Sequence, residues 1–131
     1  MSDIHIRLIR EDELDRLIEL YEHLHEKGDA PLPPEEQLGP LWTEIVANPM
    51  LYYFVGEIDG TLVCGCTMAI IPNLTRGARP YGLIENVVTH RNYRKRGYGT
   101  HILQHALQVA WEHNCYKVML LTGRKDETTL R

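Results

Sequence analysis

Between an apolar run and an amphipathic helical pattern, the chain places Arg94-Lys95-Arg96-Gly97-Tyr98-Gly99-Thr100. Three successive cations and two glycines at the start of a helix make a site for an anion. The first turn has backbone N–H groups without intrahelical partners, the helix dipole is positive there, and Gly97 and Gly99 let the backbone approach a ligand closely. A phosphate or pyrophosphate is the expected guest. Upstream, Glu85 is the one carboxylate inside the apolar run that includes Leu83, Ile84, Val87 and Val88. A charge there is costly unless a cleft solvates it or a cation pairs with it. Glu85 is therefore a candidate general base, with pairing to Arg7 or Arg79 as the alternative. Asn86 is expected on the opposite side of the strand.

Other chemistries fit less well. A P-loop needs Gly-x-x-x-x-Gly-Lys followed by Ser or Thr, and a dinucleotide fingerprint needs a third glycine at a first strand. Neither is present. His101 and His105 have the i, i+4 spacing of a metal pair, but no zinc-protease glutamate lies between them and no third ligand is evident. With Gln108 and Glu112 they read as a solvated helix face, so no metal is expected. Cys64 and Cys66 alternate in one strand pattern and Cys115 has no obvious mate, which argues for reduced thiols rather than a disulfide framework or zinc site.

The elements that must position this turn follow from hydrophobic periodicity. Alternation at Ile4, Ile6 and Leu8 predicts a strand, and Leu14, Leu17, Ile18, Tyr21 and Leu24 predict a helix over 12–26. A second helix is expected over 34–48, burying Leu38, Leu41, Trp42, Ile45 and Val46. Strands over 52–58 and 62–71 flank Asp59-Gly60, a tight-hairpin signal. Residues 72–80 read as a loop. The central strand, the basic turn, the helix with Ile102, Leu103, Ala106, Leu107 and Ala110 on its core face, and a strand over 117–122 complete the order.

The length of 131 residues suits one domain over 1–131 with one hydrophobic core. A net charge of −4, with the cations gathered near the turn, suits a small phosphorylated ligand better than a nucleic acid. No apolar run is long enough to cross a bilayer, and the start of the chain lacks signal-peptide features, so the expected setting is the cytoplasm, with no membrane partner.

The string Arg94-x-x-Gly97-x-Gly99, with Ile84-Glu85-Asn86-Val87-Val88 before it and a helix after it, resembles the acyl-CoA signature of the GNAT N-acetyltransferase superfamily. The motif resemblance spans 83–107, and the order of elements follows the family over about 4–131. It implies an α/β fold, a GNAT-like mixed sheet flanked by helices, with acetyl-CoA as cosubstrate and a small-molecule primary amine as acceptor. It also implies that the backbone of Val87, Val88 and Thr89 pairs with the pantetheine arm, and that Arg94, Lys95, Arg96, Gly97, Tyr98, Gly99 and Thr100 take the pyrophosphate. Glu85 would accept the ammonium proton through water, its pKa raised by partial burial. Within the superfamily, Ile84–Val88 and Asn114-Cys115-Tyr116-Lys117 are similar to glucosamine-6-phosphate N-acetyltransferases, which makes glucosamine 6-phosphate one acceptor to consider.

The family pattern continues with a helix and a strand hairpin, whereas this chain stops where that helix would start. The proton-donating tyrosine of many members lies on that helix. Tyr98 and Tyr116 are not equivalent to it, so no general acid is assigned. A shortened sheet would leave Val118, Leu120 and Leu121 on an exposed edge. A fragment, a segment from elsewhere such as a homodimer partner, or a different closure of the sheet are the open alternatives. A non-catalytic CoA-binding module is the competing reading of function.

Overall fold

The computed structural model describes residues 3–24, 31–121 and 127–130. Among these residues six strands form one mixed sheet in the order β1-β2-β3-β4-β5-β6. They are β1 (His5–Leu8), β2 (Leu51–Ile58), β3 (Thr61–Ile71), β4 (Tyr81–Thr89), β5 (Val118–Leu121) and β6 (Glu127–Leu130). All neighbouring pairs are antiparallel except β4 and β5, which run parallel. That one parallel pair requires a crossover, and helix α4 (Tyr98–Glu112) supplies it. Helices α1 (Leu14–Tyr21) and α2 (Glu35–Ala47) lie between β1 and β2 in the chain.

Successive strand residues point to opposite faces, which divides the core in two. Phe54, Cys66, Met68 and Ile84 pack with Ile102, Ala106 and Ala110, the four-residue spacing that makes one buried stripe on α4. On the other face Val55, Leu62 and Val88 meet Leu17 and Leu20 of α1 and Trp42 of α2. The hairpin between β2 and β3 turns on Asp59 at φ 47° and Gly60 at φ 83°, the left-handed pair that matches the twist of the flanking strands.

A charged cluster fastens the start of the chain. Glu13, only 2% exposed, receives Arg7 in a two-pronged contact, Nη1 to Oε1 at 2.8 Å and Nη2 to Oε2 at 2.9 Å. Arg16 reaches its Oε2 at 2.6 Å, and the Arg10 backbone N–H donates to its Oε1 at 2.8 Å. The same Arg7 guanidinium donates to Glu57 on β2 at 2.9 Å. Hydrogen bonds from Arg7 outweigh the burial that opposes ionisation and hold the Glu13 carboxyl down at about 2.

Several expectations need correction. The first helix begins as a 3-10 turn (Glu11–Glu13) because Glu13 is drawn into the Arg7 cluster, and α1 proper ends at Tyr21. The end expected for that helix lies outside the described residues. On α2 only Trp42 is buried, its indole N–H donating to the Glu11 carbonyl at 2.8 Å. Leu41 at 50% and Val46 at 39% remain exposed, so the apolar stripe is wider than the contact it makes. Between them and the sheet is an apolar hollow of about 70 Å³, lined in part by Leu8, Trp42, Ile45 and Tyr53. The loop over 72–80 contains one distorted helical turn, α3 (Thr75–Ala78), with Arg76 and Gly77 both left-handed.

At the far side of the sheet, β5 is not an open edge. β6 pairs with it from Val118↔Leu130 to Leu121↔Glu127. A strand therefore occupies residues where the family pattern led us to expect the beginning of a helix. Cys64, Cys66 and Cys115 are free and buried, and burial pushes the Cys64 and Cys66 thiols up to about 12.

Candidate active site

The site forms where β4 outruns its neighbour. Its ladder with β5 has three pairs and ends at Ile84↔Leu120. On the β3 side the register jumps from Thr67↔Glu85 to Gly65↔Val88, so β4 has one more residue than β3 across this interval. Asn86 sits in that bulge at φ 55°. Asparagine tolerates the left-handed region better than most residues, and a bulge re-aims the backbone beyond it. Val88 and Thr89 keep β3 partners, Gly65 and Cys64, while from Val87 to Thr89 the β5 side has no ladder partner among the described residues.

After β4 the chain makes a 3-10 turn (Arg91–Tyr93), capped by the His90 Nδ1 accepting from the Asn92 N–H at 3.1 Å. Lys95 at φ 64° and Gly97 at φ 83° are left-handed and fold the basic segment back into the start of α4. Around a Cβ built on Gly97 nothing lies within 4 Å, whereas one on Gly99 would touch Thr89 Oγ1 at 3.5 Å. Gly97 thus answers a backbone requirement and faces open space. Gly99 is not demanded by the protein's own packing.

The three cations have different surroundings. Arg94 donates through Nε to the Thr89 carbonyl at 3.2 Å and through Nη2 to the His23 carbonyl at 2.8 Å. Its guanidinium pins the turn. Arg96 lies over the Tyr93 ring at 5.4 Å, and Lys95 is exposed with no partner among the described residues. Tyr98, Gly99 and Thr100 form the first turn of α4, where backbone N–H groups are free to meet an anion.

Glu85 is exposed, contrary to the partial burial expected from its apolar neighbours. The cause is the bulge, which opens this part of β4. Neither alternative partner reaches it: Arg7 is held by Glu13 and Glu57, and Arg79 donates to the Asn114 and Cys115 carbonyls. Asn86 is exposed too, in the bulge rather than on a regular opposite face.

Sequence reading missed the groups beside Glu85. The registers Tyr53↔Thr67 and Thr67↔Glu85 place these three residues in one row across β2, β3 and β4. Burial pushes the Tyr21 phenol up to about 12 and also raises that of Tyr53, with the Thr67 hydroxyl offsetting part of both shifts. The Glu85 charge adds to the rise at Tyr53, which places the two in electrostatic contact. Only strand register brings this row together, and register has no local signature here.

The other candidates lie apart. His101 is exposed, while His105 packs edge-on against Phe54 at 5.1 Å, so the expected solvated face is only partly solvated. No group of three or more His, Cys, Asp or Glu among the described residues could hold a metal ion. No helix among them is long and apolar enough to cross a membrane. The apolar hollow beside α2 has neither Glu85 nor the basic turn among its lining residues.

A mixed sheet whose fourth strand runs through a glycine-bearing basic turn into a helix is the order of elements that the resemblance implied. Comparison with known proteins gives the family. The model of the Acetyltransferase (GNAT) family matches residues 14–130, and the chain belongs to that family. A glucosamine 6-phosphate N-acetyltransferase from Trypanosoma brucei brucei is 30% identical over 124 residues, covering 95% of this chain and 83% of the relative. Among solved structures, a protein assigned as an acetyltransferase from Agrobacterium tumefaciens str. C58 is 43% identical, with a TM-score of 0.84 over 93% of this chain and 83% of that one. An acetyltransferase from Trypanosoma brucei is 29% identical, with a TM-score of 0.78 over 94% and 85% of the two chains.

Proposed function

We propose that the protein transfers an acetyl group from acetyl-CoA to a primary amine of a small molecule, by direct attack in a ternary complex. The observation that carries this reading is the edge of β4 beyond Ile84↔Leu120, without a ladder partner on the β5 side among the described residues, which leads from Glu85 straight to the basic turn. Residues along that path fit a coenzyme A. The backbone of Val87, Val88 and Thr89 can take an extended arm as an added strand, and the first turn of α4, with Gly97 open beside it, can take a pyrophosphate. Lys95 and Arg96 add charge at the same place.

Bound acetyl-CoA supplies the thioester: the amine nitrogen bonds to the carbonyl carbon as the carbon–sulfur bond breaks, and the thiolate takes up a proton. An N–H on the unpaired side of β4 donates to the negative charge that develops on the carbonyl oxygen. Glu85, exposed and without an ion-pair partner among the described residues, accepts the ammonium proton through water and leaves the amine nucleophilic. Thr67 is its neighbour on β3, and Tyr53 follows in the same row on β2. Glucosamine 6-phosphate is the first acceptor to try, because the Trypanosoma relative is named for it.

The test is release of free thiol from acetyl-CoA with glucosamine 6-phosphate, then with a panel of primary amines, beside calorimetry with CoA. Turnover that falls in Glu85→Gln with CoA affinity unchanged supports the mechanism. CoA binding without turnover on any amine points to a binding module, and no binding at millimolar CoA removes the reading altogether.

A further inference from the structure

The turn that follows α1 reaches across to the basic turn through one residue. His23 Nδ1 accepts from both the backbone N–H and the Nε–H of Arg91, each at 3.2 Å. The His23 carbonyl accepts from Arg94 Nη2 at 2.8 Å. Its ring lies on that of His90, with centroids 4.1 Å apart, and His90 in turn caps the 3-10 turn. Arg91 and Arg94 bracket the entry to the turn, and both are held from a point 68 or more residues away in the chain.

We propose that His23 is a positioning residue for the cosubstrate site, a strut whose neutral imidazole sets the anion turn in its binding geometry. This rests on the reading that the turn takes the pyrophosphate of CoA. A ring nitrogen that accepts two N–H groups carries no proton of its own, so the strut exists only in the tautomer protonated at Nε2. Protonating Nδ1 would turn the acceptor into a donor facing two donors.

The surrounding charges oppose that protonation. Burial, His90, Arg91 and Arg94 all press the His23 pKa below its ordinary 6.5, and Glu22 alone among the acting neighbours presses the other way. Tyr93 stands edge-on to His90 at 5.2 Å. A depressed histidine pKa means that the strut is intact above 6.5 and is lost as pH falls through the lower folded value. Affinity for CoA should therefore weaken on the acid side. If His23 served as one more cation for the phosphates, affinity would strengthen there instead.

The experiment is calorimetric titration with CoA of the wild type, His23→Asn and His23→Phe from pH 8 to pH 5. CoA's own phosphate titrates near about pH 6 in every sample, so the difference between proteins is what counts. Asn carries a pH-independent acceptor near the place of Nδ1. It should keep wild-type affinity at pH 8 within about threefold and lack the extra acid-side loss that the wild type shows. Phe should bind about 3- to 10-fold more weakly at pH 8, the loss of one or two modest hydrogen bonds.

Superimposable pH curves for wild type and His23→Asn would overturn the proposal, as would wild-type affinity that rises in acid relative to His23→Asn. Should His23→Phe fail to fold, the comparison with His23→Asn still decides. A wild type that binds no CoA at any pH removes the underlying reading together with the strut, a result distinct from binding that ignores His23.

Discussion

The molecule carries two concentrations of charge, and they are finished differently. Around Glu13 every prominent charge is spent within the protein: Arg7 forks onto Glu13 and also reaches Glu57, and Arg16 adds a second cation. At the turn from Arg94 to Gly97, Lys95 stands exposed without a partner among the described residues, and the α4 start offers N–H groups without intrahelical partners. Density of charge does not mark a functional site. Charge left uncompensated is what sets the proposed site apart, and among the described residues the carboxylate Glu85 shares that property with the turn.

The largest effect should come from the closed cluster and should touch stability only. Glu13→Ala leaves Arg7 and Arg16 without their main partner and should cost about 3 kcal/mol in urea unfolding, while folded protein still binds CoA as before. Because the Glu13 carboxyl is held near about 2, its contribution is complete above 4.5 and drains away as pH falls toward 2. Glu13→Gln should flatten that part of the acid-unfolding curve. A loss of CoA affinity equal to the loss of stability would collapse the distinction between the two regions.

Next in size is Glu85→Gln, with a rate at saturation lower by about a hundredfold at neutral pH and unfolding unchanged. The defect should shrink at high pH, where the amine is already neutral. A raised Michaelis constant with an unaltered saturating rate would recast Glu85 as an anchor for a cationic acceptor.

Gly97→Val should weaken CoA binding by about tenfold, because a β-branched residue is strained at φ 83° and its side chain enters the open space beside the turn. Gly99→Ala is the control for the fold: its Cβ meets Thr89 Oγ1 at an ordinary 3.5 Å, so thermal stability should hold or rise. Lys95→Ala is the smallest change, about twofold in affinity at low salt and vanishing at high salt, as expected for one exposed charge. Calorimetry at two ionic strengths checks Gly97→Val and Lys95→Ala, and thermal unfolding checks Gly99→Ala.

Much of this arrangement is legible locally. Asp59-Gly60 announces its hairpin, Pro34 and Asn48 bound α2, and the run from Leu83 to Ala110 contains strand, turn and helix in the order observed. What escaped depends on distant partners. Glu13 looks like an ordinary acidic residue at a helix start until Arg7 and Glu57 converge on it. His23 gains a role only from Arg91 and Arg94, and Tyr53 and Thr67 join Glu85 only through register. Asn86 hid inside an apolar pattern because a single left-handed residue leaves the alternation on either side nearly intact. That bulge, in turn, is why Glu85 is exposed where its neighbours suggested burial.

The buried cysteines bear on how the protein can be handled at the bench. Cys64 is 0% exposed, Cys66 3% and Cys115 2%, and burial raises all three thiols. It is the thiolate that attacks a disulfide reagent, and these side chains scarcely form it at neutral pH. A colour reaction for liberated CoA therefore reads the coenzyme with little background from the folded protein. The same reagent added without substrate becomes a clock for unfolding of the face that α4 covers, since Cys64, Cys66 and Cys115 all lie in the core on that side.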